Sequence, residues 1–304
     1  MQNKTSRQKA FLLALLAVLF WSTISSAIKI TLKFLSFESL LFWSVATAVM
    51  VLWVMNRWGK TPVRWKQLSK REWILSAVMG FFNPFLYYLV LFKAYQMLEA
   101  QVAGTLNYIW PVVLVLFSIF FLKQKIGIGA ILALLISFFG LVVIVTAGNP
   151  FSMQFHHPLG AGLAVGSAVF WAAYWILNMK DPREASGKIL LNMLFGLFYL
   201  SVYFALRGKW PQIPSLYGWV GTVYVGIFEM SLTFVIWLKA LYYSENTAKV
   251  SNLIYLSPFL GLFWIQQTVG ETIHGYTLVG LAFIVGGIIL QQGQGRSRTV
   301  RHRQ

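Results

Sequence analysis

The sequence predicts an all-α integral membrane protein of about ten transmembrane helices, arranged as a five-plus-five inverted repeat with both termini in the cytoplasm. Three observations predict it. Of 304 residues, 58% are hydrophobic and only 11% charged, with a mean hydropathy of +0.67, against roughly 25% charge in a soluble domain. Apolar runs of about 18 or more residues, each long enough to cross a hydrocarbon core of about 30 Å, recur along the whole chain. The runs also repeat in order at a nearly constant offset.

The first span, 10–30, follows Lys4, Arg7 and Lys9 and carries "SSA" from Ser25 to Ala27, so it imitates a cleavable signal peptide. An internal counterpart makes it a retained helix instead. Charge clusters and prolines then set off spans at 37–56, 73–95, 101–122, 127–147, 159–178, 188–206, 217–240, 246–268 and 274–292. Pro62, Pro150, Pro158, Pro182, Pro211 and Pro214 fall in connections, where a missing N–H costs little. Pro84, Pro111 and Pro258 fall inside spans, where each removes a hydrogen bond and crowds the preceding turn, which marks hinges or gates. Lys93 and Lys239 end spans near an interface, where a lysine snorkels and complements a helix C-terminus.

The repeat is read from matched residues. Gly80, Phe82, Leu86, Lys93 and Ala94 match Gly226, Phe228, Leu232, Lys239 and Ala240 at an offset of 146. Leu106, Tyr108, Pro111 and Gly140 match Leu253, Tyr255, Pro258 and Gly287 at 147, and Phe20 and Trp21 match Phe170 and Trp171 at 150. Helices one, three, four and five thus recur as six, eight, nine and ten. The repeats are 1–150 and 151–292, followed by a basic, disordered cytoplasmic tail at 293–304. Five crossings per unit leave the second copy upside down, and inverted repeats place a substrate site near the midplane, worked by alternating access. The N-terminus, the loop 57–71, the Lys123/Lys125 turn, the 180–188 loop and the tail hold most of the basic residues, which puts both termini inside.

Glu229 is the acidic residue well inside a span, and an intramembrane carboxylate is costly unless paired, neutral or facing a wet cavity. On a continuous helix it shares a face with Thr233 and Trp237, while its repeat mate Asn83 shares one with Tyr87. The bland alternative is one interhelical hydrogen bond. Tyr108 and Trp110 abut the Pro111 kink, and Tyr255 stands beside Pro258. Trp21, Trp171 and Tyr174 lie in helices one and six, although aromatic residues, at 17% of the chain, also fill interfacial belts.

Other functions are excluded or disfavoured. The +17 charge sits between apolar runs and at the ends rather than on an aromatic-interleaved face, so no nucleic-acid partner is expected. There is no cysteine, and His156, His157, His274 and His302 lie in loops, edges or the tail, so neither a metal site nor an activated nucleophile can be drawn. No enzyme activity, cofactor or ATP-binding loop is expected. A passive channel or scramblase fits isolated polar stripes less well than a gated pocket.

"LFWSTISSAIK", "TLNYIWPVVLVLFSIFFLKQKIG", "SNLIYLSPFLGLFWIQQTVGE" and "LVGLAFIVGGIIL" together resemble the drug/metabolite transporter superfamily, EamA type, over essentially the whole chain. Gly270-Glu271 keeps the family pattern, whereas Lys123-Gln124 departs from it where an acidic residue is usual. The aromatic-rich spans are most similar to the YddG-like exporters of aromatic amino acids. The resemblance implies a secondary exporter of small amphiphilic metabolites in a bacterial inner membrane; a monomer is expected, with the lipid bilayer and a small-molecule substrate as its partners. The alternative is a multidrug exporter binding organic cations at Glu229. An amino acid would place its ammonium at Glu229 and its side chain against rings such as Trp110 and Trp171. With no dedicated basic residue inside the spans, its carboxylate is expected at Asn83, Thr233 or Asn252.

Overall fold

A computed structural model describes residues 4–59, 62–63, 65–122, 127–151, 157–244, 250 and 252–301. The Lys123-Gln124 pair, Ser251, His156, His302 and the start of the 246–268 span lie outside the described residues. The described residues are helical throughout, without strands. The first half holds α1 (Lys4–Thr31), α2 (Phe37–Arg57), α3 (Lys70–Gly80), α4 (Tyr87–Met97), α5 (Ala100–Asn107), α6 (Trp110–Leu122) and α7 (Ile128–Val145). The second holds α8 (Pro158–Lys180), α9 (Ala185–Leu206), α10 (Leu216–Phe228), α11 (Leu232–Tyr243), α12 (Ser257–Thr268) and α13 (Gly275–Arg301). The last helix runs into the stretch expected as a disordered tail.

Among the described residues, seven helical stretches are long and apolar enough to cross a membrane: Gln8–Thr31, Phe37–Arg57, Lys70–Met97, Ala100–Phe117, Pro158–Lys180, Ala185–Leu206 and Leu216–Tyr243. Ile131–Val145 and Gly275–Leu290 are shorter apolar helices.

Four spans expected as continuous are broken, at equivalent places in the two halves. Between α3 and α4 the wider-turned segment Phe81–Leu86 contains Asn83 in an extended conformation and a cis bond to Pro84. The equivalent break between α10 and α11 falls at Glu229, Met230 and Ser231. There, no proline is present, and hydroxyls do the local work. Ser231 Oγ donates to Gly226 O (2.8 Å), and Thr233 Oγ1 donates to Phe228 O, so carbonyls freed at the end of α10 stay satisfied in an apolar interior. Between α5 and α6 the chain turns at Tyr108 and Ile109, and α12 follows a tight turn over Asn252–Leu256. Pro111 and Pro258 therefore open α6 and α12 within their first turns, where a missing N–H is tolerated.

The helices pack across the halves rather than within them. Helix α1 lies against α10, α11 and α12, and α8 lies against α4, α5 and α6. Helices α7 and α13 run along each other. At their crossing a Cβ on Gly140 would stand 2.4 Å from Gly280 O, and one on Gly287 would stand 2.5 Å from Ala133 O. These contacts are reciprocal at the offset of 147, and their register is antiparallel. A second reciprocal pair has Gly80 against Asn192 and Phe195 of α9, and Gly226 against Ser44 and Thr47 of α2. Contacts in which i meets j and j meets i are the signature of a two-fold axis.

Candidate functional site

The breaks and crossings enclose one cavity of about 320 Å³ between the halves. Its walls come from α1, α4, the α5–α6 turn, α8 and α11, and its mouth includes Met179, which is 64% exposed. That volume sits at the small end of the roughly 300–1,000 Å³ typical of ligand pockets, enough for a single small metabolite.

Aromatic rings make up much of the wall, and several of them are held by other rings. Tyr87 stacks on Trp171 with centroids 4.6 Å apart and planes at 28°. Trp171 and Trp21 both pack edge-on against Phe234, at 5.6 and 5.8 Å, and Trp21 meets Trp237 at 5.6 Å. Such pairs add about 0.5–1.5 kcal/mol each beyond burial, so the apolar wall is preformed.

The polar groups are few and fixed. Glu229, 9% exposed, reaches the cavity from the broken turn after α10, and the Tyr88 hydroxyl donates to its Oε1 at 2.9 Å. Its second oxygen makes no hydrogen bond among the described residues. Tyr87 donates to Asn107 Oδ1 (3.0 Å), and Asn107 Nδ2 donates to Ser167 Oγ (2.9 Å), which in turn donates to Ala164 O. Ser25 and Tyr95 share a hydroxyl hydrogen bond of 2.6 Å at the inner wall. Tyr108 and Ser257 border the same small space, where the first half's turn meets the start of α12.

Of the residues expected at a site, Trp21, Tyr87, Tyr108, Trp110, Pro111, Trp171, Glu229 and Tyr255 line this cavity together. Asn83, Tyr174, Thr233, Asn252 and Pro84 do not. Asn83 is fully buried behind the bend, with neither side-chain polar atom hydrogen-bonded. Tyr174 turns away to accept from Asn178 Nδ2 (3.1 Å). Thr233 is spent on the helix break, because α10 and α11 are not the single helix that would aim it beside Glu229. Pro258 borders a separate space of about 30 Å³ against Trp21 and Tyr108. Lining residues the sequence reading passed over include Leu91, Tyr95 and Asn107. Asn107 was readable as a polar residue one position before Tyr108 in an apolar span.

At the end of the molecule away from Met179 the halves are tied shut. Glu271 accepts from the backbone N–H groups of Ala100 (2.7 Å) and Gln101 (3.1 Å), satisfying the open N-terminus of α5 with a charge of the favourable sign. Gln101 Nε2 donates to Thr272 O (2.9 Å), and Gln101 Oε1 accepts from His274 N (2.9 Å). His274 Nε2 also meets Glu99 Oε2 at 2.9 Å. The Gly270-Glu271 pair is thus a clasp between halves. Among the described residues, no cluster of three metal-ligating side chains occurs.

Comparison with known proteins agrees with this architecture. The profile of the EamA-like transporter family matches residues 8–146 and 158–291. The chain is 23% identical over 284 residues to the aromatic amino acid exporter YddG of Ancylobacter novellus, covering 93% of this chain and 96% of that protein. It is 24% identical to the inner membrane protein YtfF of Escherichia coli K12, over 75% of this chain and 78% of that one. One solved crystal structure superposes with a TM-score of 0.67 at 20% identity, covering 94% of this chain and 98% of that chain, which shows a shared fold.

Proposed function

The chain belongs to the EamA-like transporter family, and from that premise we propose that it is a secondary exporter of aromatic and other large apolar amino acids in a bacterial inner membrane. The observation that carries the substrate class is the cavity itself, an aromatic-walled space with one buried carboxylate, Glu229. In this reading Glu229 takes the substrate ammonium. Ser25, Tyr95, Asn107 and Tyr108 replace Asn83, Thr233 and Asn252 as the groups near the rest of the polar end. The side chain lies among Trp21, Trp171 and Trp237. Full burial of a large apolar side chain is worth roughly 1.5–3 kcal/mol. That selects large apolar amino acids over alanine about tenfold to hundredfold and discriminates weakly among phenylalanine, methionine and leucine. The similarity to an aromatic amino acid exporter and to an inner membrane protein supports the same reading.

The mechanism proposed is alternating access between two inverted repeats. Its supports are the reciprocal, antiparallel glycine contacts of α7 and α13, the matching helix breaks, and two family matches that divide between residues 146 and 158. Two reciprocal antiparallel helices require an axis perpendicular to both, hence one lying in the membrane plane. In this reading the seven long spans, the two shorter apolar helices and α12 with its preceding turn are counted as ten crossings. An even count leaves both termini on one side, and the Lys/Arg bias of the loops supports the cytoplasm as that side. Met179 then lies at the cytoplasmic end of α8, so the cavity faces inward and the Glu271 clasp closes the outer end.

Glu229→Gln in proteoliposomes tests the assignment. Hydrogen bonds to charged groups contribute about 1.5–3 kcal/mol, so affinity for phenylalanine should fall about tenfold to hundredfold, while N-acetylphenylalanine, which has no ammonium, should compete as before. Unchanged phenylalanine affinity would refute the ammonium site. Preferential loss of organic cations, with amino acids never transported, would establish the multidrug alternative.

A further inference from the structure

The repeat relates every residue of the present cavity to a partner in the other half. For some pairs both members line it, as with Trp21 and Trp171, Tyr108 and Tyr255, and Leu91 and Trp237. For others only one does. Glu229 lines it and Asn83 is buried; Trp110 lines it and Ser257 is buried; Met179 lines its mouth and Lys29, at the offset of 150, does not. The first group is the floor of the site. The second records which way the molecule faces. When two inverted halves exchange conformations, the hidden members of these pairs become the lining of the oppositely open cavity.

Lys29 is a half-buried member of that hidden set, in the last turn of the α1 span. Its ammonium donates to Tyr95 O (3.0 Å) and to Leu98 O, the last carbonyls of α4, where a helix C-terminus favours positive charge. No carboxylate lies within ion-pair distance among the described residues. Glu99, Gln101 and the Glu271–His274 clasp surround this closed end. Opening the end separates α4 from α1 and takes those carbonyls from Lys29, whose position then matches that of exposed Met179. Over the same exchange Glu229 takes the place of buried Asn83. The site thus gives up a carboxylate and gains an ammonium.

We propose that Lys29 is a substrate-binding residue of the outward-open state, where it takes the carboxylate of a zwitterionic substrate. This rests on the alternating-access reading above. It supplies the basic group that the inward-open cavity lacks, and it makes transport a transfer from a grip on the amine to a grip on the acid.

The absence of native cysteine makes the test direct. Lys29→Cys and Met179→Cys are each challenged with a membrane-impermeant sulfonated maleimide, in vesicles of both orientations. Met179→Cys should react from the cytoplasmic face and Lys29→Cys only from the opposite face. In a second arm, external phenylalanine and phenylalanine amide compete with labelled leucine exchange. Lys29→Met should reduce the preference for phenylalanine over its amide on the order of tenfold, and Lys29→Arg should restore it. Labelling of Lys29→Cys from neither face, or from the same face as Met179→Cys, overturns the proposal. So does an equal loss of both competitors in Lys29→Met, the result of a latch that never touches substrate. Labelling needs no substrate, and wild-type leucine transport involves no change at Lys29, so a wrong substrate assignment shows separately.

Discussion

Replacing Gly140 by alanine puts a Cβ 2.4 Å from Gly280 O, 2.8 Å from Phe283 Cβ and 2.9 Å from Ile284 N. Backbone on the facing helix cannot swing aside as a side chain can, so α13 must retreat by about 1 Å, and such overpacking costs about 1–3 kcal/mol. Alanine regains about 1 kcal/mol of helix propensity over glycine, leaving a net loss of up to about 2 kcal/mol. Gly287→Ala meets Ser137 Oγ at 2.3 Å and Ala133 O at 2.5 Å and should cost about the same. Because one retreat relieves both clashes, the double variant should lose at least about 0.5 kcal/mol less than the sum. Gly162→Ala and Gly166→Ala supply the control, since a Cβ there meets nothing within 4 Å; both should be neutral or stabilising. Thermal unfolding of the purified protein in detergent, compared as a double-mutant cycle, reads all five. If Gly140→Ala is as benign as Gly166→Ala, or the two axis glycines add fully, the α7–α13 crossing is not the shared contact described above.

Pro111→Ala and Pro258→Ala should slow transport more than they weaken substrate binding. Alanine favours a continuous helix through the turns at Tyr108 and Leu256 by up to roughly 3 kcal/mol, which biases one orientation of the site; equal losses in rate and in equilibrium binding would assign both prolines to packing. Asp181, in the connection after α8, is pushed up by burial, but the Arg183 guanidinium at 2.6 Å outweighs this and holds its carboxyl below the usual range. A depressed folded pKa means stabilisation present above the unfolded value of about 4 and lost as pH falls through the folded one. Arg183→Met should therefore melt below wild type at pH 7, with the gap closing as pH falls below about 4; a gap independent of pH would show that the hydrogen bond Arg183 donates to Ser76 Oγ, not its pairing with Asp181, is what it supplies.

The apolar spans were legible because bilayer thickness imposes a length on apolar runs, and the repeat is proposed because Gly80, Tyr108, Pro111 and Gly140 each have a mate at the right offset. That Glu229 lines the cavity was legible too, since a lone carboxylate in an apolar span is costly unless it faces a polar or open space. Thr233 and Asn83 were misread for one reason. Face assignments assume an unbroken 3.6-residue period, and the breaks at Phe81–Leu86 and at Glu229 to Ser231 reset it. The break in α10–α11 carries no proline, so no residue announced it. Lys29 was passed over because a lysine near a span end ordinarily snorkels to water; its tie to Tyr95 and Leu98 depends on where α4 ends in space.

The crossed packing of the halves also sets an order of events during synthesis. Helix α1 emerges first, but its partners α10, α11 and α12 lie about 200 residues further along, a wait on the order of 10–40 s at about 5–20 residues per second. Ser25 can meet Tyr95 of α4 well before then, but Ser22 and Thr23 have none of those three later helices to bond. Ser22 donates to Leu19 O and Thr23 to Phe20 O, each within α1 itself at 2.7 Å. These two hydroxyls are thus chemically quiet before α10 and α12 arrive beside them. A serine or threonine can wait in this way, whereas a carboxylate cannot. The acidic member of the site accordingly belongs to Glu229, inserted late into a bundle already prepared with the Tyr88 hydroxyl that receives it.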